Sequence, residues 1–115
     1  RLADLFILPS RGPGETWGLA INEAMACGRA VCVSTKVGCA PDLVHPGDNG
    51  YVFAADEPGS LRTTLAQVLS DVDQHNNHLN TMGDRSADKI QNWSFEHAVN
   101  RVEKAICNLS SAADR

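Results

Sequence analysis

The sequence predicts an α/β chain, a small parallel sheet followed by C-terminal helices. Three observations carry that reading. The apolar run Leu5-Phe6-Ile7-Leu8 stops at Pro9-Ser10 and passes through a glycine-rich turn into a helical segment. A second apolar run, 31–34, shows no polar alternation, as expected of a parallel strand covered on both faces. The order strand, helix, strand, short helix, strand is the pattern that builds parallel sheets.

Taken in order, strand 5–8 gives way to Arg11-Gly12-Pro13-Gly14, a turn into a helix from about 18 to 27. Gly28 supplies the left-handed residue that commonly ends a helix. Strand 31–34 is followed by the tight turn Val37-Gly38-Cys39-Ala40-Pro41 and a short helix near 42–44. The loop from His45 to Gly50 is rich in turn formers, and Tyr51-Val52-Phe53 forms a third strand. Pro58 stands near the next helix start, with Leu61, Leu65, Val68, Leu69 and Val72 at helical spacing. Residues 75–91 form a more polar helical stretch around Leu79, Met82 and Ile90. Ser94 caps a last helix beginning near Phe95, with Ala98, Val102, Ala105 and Ile106 on one face. The small, polar tail 110–115 is expected to fray, which leaves 1–109 as the folded part.

At 115 residues the chain is one domain at most. A net charge of −4 argues against an electrostatically driven nucleic-acid binder. No apolar run approaches the roughly 18 residues of a membrane span. Cys27, Cys32, Cys39 and Cys107 form no C-x2-C pair, so they read as buried free thiols of a reducing compartment rather than disulfides or zinc ligands. A cytoplasmic location is expected, with the inner membrane face reached only through a further domain. Asn92-Trp93-Ser94 and Asn108-Leu109-Ser110 match a glycosylation pattern that arises often by chance. Arg1 is no natural start, so the chain is expected to be the C-terminal part of a longer polypeptide. Phe6 and Ile7 would then lie on a strand lacking one partner, and the isolated chain is expected to fold poorly or self-associate.

Glu15 and Glu23 stand eight positions apart and bracket Thr16-Trp17-Gly18-Leu19-Ala20-Ile21-Asn22. Glycines between strand and helix free backbone N–H groups, and a helix start carries about half a positive charge. That suits a phosphate or diphosphate, with the glutamates placed to accept hydrogen bonds from sugar hydroxyls on either side. Carboxylates at this spacing also occur on ordinary surfaces, Glu23 as a helix-dipole partner and Glu15 as a loop carboxylate.

The pattern extends well beyond the two glutamates. Its matching segments are Ala3-Asp4-Leu5-Phe6-Ile7-Leu8-Pro9-Ser10, Glu15-Thr16-Trp17-Gly18-Leu19, Asn22-Glu23-Ala24-Met25-Ala26-Cys27-Gly28, Ala30-Val31-Cys32-Val33-Ser34, Val37-Gly38-Cys39-Ala40-Pro41-Asp42-Leu43-Val44 and Asn49-Gly50-Tyr51-Val52-Phe53. In this order they resemble the retaining, metal-independent glycosyltransferases of the GT-B fold, glycosyltransferase family 4 of the glycosyl transferases group 1. The resemblance is close from residue 3 to about 55 and holds in outline beyond.

It implies a partial Rossmann-like sheet, the C-terminal half of a donor-binding domain, with the remaining strands and an N-terminal acceptor-binding domain upstream. It implies that Glu23 accepts from both ribose hydroxyls. It sets Glu15, the catalytic candidate, against the donor hexose to orient the sugar and support charge at its anomeric carbon. Trp17, Gly18 and Leu19 would present backbone N–H groups to the diphosphate or sugar, with Gly18 allowing close ligand approach. Trp17 stands where phenylalanine is commoner. Gly38 to Leu43 reads either as a turn with a helix cap or as a second wall of the donor pocket, where Cys39 and Asp42 depart from the usual glycine and glutamate.

The implied reaction passes a hexose from a nucleotide-diphosphate sugar to a sugar or lipid-linked acceptor without metal or cofactor. Basic side chains that neutralise the leaving diphosphate would lie upstream; no family motif maps onto Arg11 or Lys36. A non-catalytic nucleotide-sugar-binding remnant and a nucleotide-sugar epimerase of the same fold remain as alternatives. Two further patterns read as surface: Asp71-Val72-Asp73 as solvated helix carboxylates, and His75-x-x-His78 as surface histidines without a third ligand.

Overall fold

The computed structural model describes residues 2–114. Three strands, β1 (Leu5–Leu8), β2 (Ala30–Ser34) and β3 (Gly50–Phe53), form one parallel sheet in the order β1-β2-β3. Phe6 pairs with Val31 and Leu8 with Val33; Val33 in turn pairs with Val52. The helices are α1 (Leu19–Ala26), α2 (Ala40–Leu43), α3 (Ser60–Gln74), α4 (His78–Ile90) and α5 (Phe95–Ala113), with a 3₁₀ turn at Gln91–Trp93 between the last two. The predicted order of elements is the observed one. Boundaries move by one to three residues except at the chain's end, where helix continues past Ser110 to Ala113.

Alternation along the strands sends side chains to two cores. Val31 and Val33, with Phe6, Leu8 and Val52, meet Ile21, Met25 and Leu43 on one face. Ala30 and Cys32, with Leu5, Ile7, Tyr51 and Phe53, meet Val68 and Met82 on the other. Every residue of β2 is buried because it is the central strand, whereas β1 is half-buried throughout. Gly28, at φ +65°, ends the α1 segment as expected. A Cβ on Gly83 would overlap the Gly28 carbonyl oxygen, so a glycine in α4 lets that helix lie directly on the turn after α1.

Buried Asn49 closes the loop before β3. Its amide donates to the Leu43 carbonyl at 2.8 Å while its Oδ1 accepts from the His45 N–H at 2.8 Å. Its own carbonyl accepts from the buried Ser86 hydroxyl of α4 at 3.2 Å.

The structure corrects two sequence expectations. Asp71 and His78 are only partly solvated: each side chain is 23% exposed, and both converge on the hydroxyl of buried Tyr51. That hydroxyl donates to Asp71 Oδ2 at 2.9 Å and lies 3.1 Å from His78 Nε2. A tyrosine has one proton to give, so Nε2 must carry the donor N–H toward Tyr51. The cluster joins β3, α3 and α4, while Asp73 and His75 are exposed. The cysteines also divide: all four are free, but only Cys32 and Cys39 are buried, with Cys27 and Cys107 exposed.

A further finding concerns α5. Ser94 does cap it, its Oγ accepting from the His97 N–H at 3.3 Å. Its apolar face, however, packs on nothing described: Phe95, Val99, Val102, Ile106 and Leu109 are 49 to 92% exposed. At about 1.5 Å per residue, this 19-residue helix accounts for much of the 59 × 31 × 23 Å elongation. Among the described residues no helix is long and apolar enough to cross a membrane.

Candidate functional site

Parallel strands deliver their following loops to one end of the sheet, and ligand sites in open α/β sheets lie at that end. Here the loop after β1 (residues 9–18) meets the loop after β2 (residues 35–39). Three contacts lock them. The buried Ser34 hydroxyl at the end of β2 donates to the Ser10 carbonyl and accepts from the Lys36 N–H. The Cys39 N–H donates to the Trp17 carbonyl at 2.9 Å. A Cβ on Gly38 would overlap the Thr16 carbonyl oxygen, so only glycine permits the approach.

Glu15 is half-buried in this junction and accepts from the Ser10 hydroxyl through Oε2 at 3.2 Å. The bond holds the carboxylate back against the end of β1. Cys39 lies close by: burial foremost, with the Glu15 and Asp42 carboxylates pushing the same way, raises its thiol to about 11. Arg11 and Lys36 stand on the same end of the sheet. Lys36 Nζ pairs with Asp56 at 3.4 Å, and Arg11 borders a cleft of about 330 Å³ with Pro9, Phe53, Ala55 and Pro58.

Gly18 adopts φ +93° immediately before α1. Packing in this junction requires glycine as well: a Cβ there would stand 2.7 Å from Val37 Cγ1 and 3.3 Å from Leu8 Cδ2. No side chain caps α1, so its first N–H groups are left to whatever faces the loop. Leu19, 69% exposed, and Glu23, also exposed, share one face of the helix at i, i+4. Ile21, Ala24 and Met25 are buried on the opposite face. Glu23 therefore stands about 6 Å further along α1 than Leu19, on the side facing away from the core.

The structure thus brings Glu15, Trp17 and Gly18 together in one junction, with Leu19 exposed just after it and Glu23 on the same exposed face of α1. Asn22 joins them: the Trp17 indole Nε1–H donates to Asn22 Oδ1 at 3.0 Å. The Gly38–Leu43 segment, open in sequence between two roles, acts here as the packing partner of loop 15–18. Ser10, Ser34 and Trp93 escaped the sequence reading. The serines carried one usable signal, their place at the C-terminal ends of parallel strands. Trp93, whose ring lies 5.5 Å from that of Trp17, carried none beyond being an aromatic in a largely polar stretch. Among the described residues no group of three or more His, Cys, Asp or Glu is arranged to hold a metal ion.

Comparison with known proteins agrees with this architecture. The chain is 32% identical over 103 residues to N-acetyl-alpha-D-glucosaminyl L-malate synthase of Bacillus anthracis, covering 89% of this chain and 25% of that protein. Sucrose-phosphate synthase of Thermosynechococcus elongatus superposes with a TM-score of 0.71 at 25% identity, over 96% of this chain and 26% of that one. Anabaena HepE, solved with UDP, superposes with a TM-score of 0.67 at 27% identity, over 95% and 28%; it has also been solved with UDP-glucose. The chain spans about a quarter of the length of the relatives it matches. The family model for glycosyl transferases group 1 matches residues 1–71, more than half of the chain and the whole of the β1–α3 junction except the end of α3, and the chain belongs to that family.

Proposed function

We propose that the chain is the C-terminal part of the nucleotide-sugar-binding domain of a retaining, metal-independent glycosyltransferase of the family 4 type. That enzyme transfers a hexose from a nucleotide-diphosphate sugar to an acceptor hydroxyl. The observation that carries the reading is the uncapped start of α1 behind a glycine-shaped loop, with Glu15 before it and Glu23 one turn in. Binding of UDP and UDP-glucose by HepE favours a uridine donor.

In this reading Glu23 accepts from the ribose hydroxyls and the α1 N-terminus receives the diphosphate. Glu15, held by Ser10, accepts from a hexose hydroxyl and supports positive charge at the anomeric carbon. The bond from acceptor oxygen to anomeric carbon forms on the face from which the diphosphate leaves. The bonding pair departs with the diphosphate, and the acceptor proton is released. A sugar or lipid-linked acceptor and most of the basic charge come from an N-terminal domain upstream, in a cytoplasmic enzyme.

Calorimetric titration of the full-length protein and its Glu23→Ala variant with UDP, GDP and ADP tests the site. UDP binding weakened about ten- to a hundredfold by the substitution is expected, since a charge-assisted hydrogen bond contributes about 1.5–3 kcal/mol. Affinity indifferent to Glu23→Ala would overturn the assignment. Product analysis by NMR tests the reaction: a lengthened acceptor with the donor's anomeric configuration supports it, an inverted one or an epimerised donor sinks it.

A further inference from the structure

Trp17 is held from three sides. Its carbonyl accepts from the Cys39 N–H and its indole N–H donates to Asn22, both within the β1–α2 region. The third restraint comes from much later in the chain. The Trp93 ring lies 5.5 Å from the Trp17 ring, tilted by 38°, in the range where offset aromatic pairs attract. Trp93 sits on the 3₁₀ turn between α4, which ends in core-packed Ile90, and the Ser94 cap of α5. It is 44% exposed within a stretch where every neighbour from Gln91 to Ala98 is exposed, and Trp17 is the aromatic partner that covers it.

We propose that Trp93 is a positioning residue for the donor site: by holding the Trp17 indole over Asn22, it sets the loop 15–18 against the first turn of α1. This rests on the donor-site reading of Glu15–Glu23 given above. The physical argument is one of restraint. With the Trp17 carbonyl fixed by Cys39, an indole held only through its N–H can still tilt about that bond, and Asn22 in the first turn of α1 moves with it. A second ring packed against it at 5.5 Å limits that freedom, so the loop and the first turn of α1 meet the ligand already oriented. The arrangement also makes nucleotide affinity depend on how the start of α5 is seated.

The test uses the full-length protein with Trp93→Ala, Trp93→Phe, Glu23→Ala and, as a control destabilised on the far face of the sheet, Val68→Ala. UDP affinity is read by calorimetry at a temperature where all four are folded. The Trp17 environment is read by ¹⁹F NMR of 5-fluorotryptophan protein, with its resonance assigned by Trp17→Phe. Trp93→Ala is expected to weaken UDP about three- to tenfold and to shift the Trp17 resonance without ligand. Trp93→Phe should restore most of the affinity, and Val68→Ala should leave both readouts at wild-type values. Glu23→Ala weakening UDP while Trp93→Ala does not would overturn this proposal alone. Equal weakening by Trp93→Ala and Val68→Ala would overturn it as a mere stability effect. If neither Glu23→Ala nor Trp93→Ala changes UDP affinity, the donor-site reading falls and this one with it.

Discussion

The Ser10 hydroxyl donates to Glu15 Oε2 at 3.2 Å, and the Ser10 carbonyl accepts in turn from the Ser34 hydroxyl at the end of the central strand. A side chain proposed to touch the donor hexose is thereby tied to the most buried strand of the sheet. Ser10→Ala should leave UDP affinity near wild type, because Glu23 and the α1 N-terminus are untouched. It should lower kcat about three- to tenfold, the loss of one net hydrogen bond of about 1 kcal/mol in orienting Glu15. Steady-state kinetics with the donor sugar varied checks the split.

Gly38→Ala should be among the most damaging small substitutions. Its Cβ would occupy the space of the Thr16 carbonyl, which is backbone and cannot swing aside. Overpacking of this kind costs about 1–3 kcal/mol, and relief requires the 15–18 loop to move away from the 35–39 loop. A lower Tm together with weakened UDP binding is expected. An unchanged Tm would show that the loops are not locked as described.

The Tyr51–Asp71–His78 cluster predicts a pH plateau. The Tyr51 hydrogen bond, reinforced by Gln67 and His78, holds the Asp71 carboxyl below its ordinary 3.8. A carboxyl depressed in the folded state stabilises above its unfolded pKa and loses that contribution as pH falls through the folded value. Burial foremost, with Asp71 adding to it, raises the Tyr51 phenol above its ordinary 10. A raised phenol stabilises below its unfolded pKa and loses the contribution as pH rises through the folded value. Tyr51→Phe strands two partly buried polar groups and should cost about 1–3 kcal/mol between those limits. Melting curves of the two proteins should begin to converge only as pH falls below about 4, the carboxylate reference value.

Thiol reactivity should follow burial. Burial raises Cys32 to about 11, and Cys39 reaches about 11 as well, so neither supplies thiolate at neutral pH. Cys27 and Cys107 are exposed. Titration of the chain with a thiol reagent should modify these two quickly under native conditions and all four only in denaturant. Rapid native labelling of Cys39 would show that the Trp17–Cys39 contact between the two loops opens.

The sequence by itself determined the elements and the family. Short unbroken apolar runs, a 3.6-residue period, Gly28 at a helix stop and Ser94 at a helix start are local signals, readable because strand and helix are set by near neighbours. The matched run from Ala3 to Phe53 also located Glu15 and Glu23 before any fold was known. Tertiary structure decided which polar residues are solvent and which are framework. Asp71 and His78 look like ordinary surface residues along their own helices, and only the packing of α3 and α4 against β3 brings Tyr51 between them. The same holds for Gly18 and Gly38, whose need for no Cβ comes from Val37 and Thr16 in the facing loop. Trp93 meets Trp17 only because α4 lies back across α1. Such contacts join residues far apart in the chain, so no local period or short motif announces them.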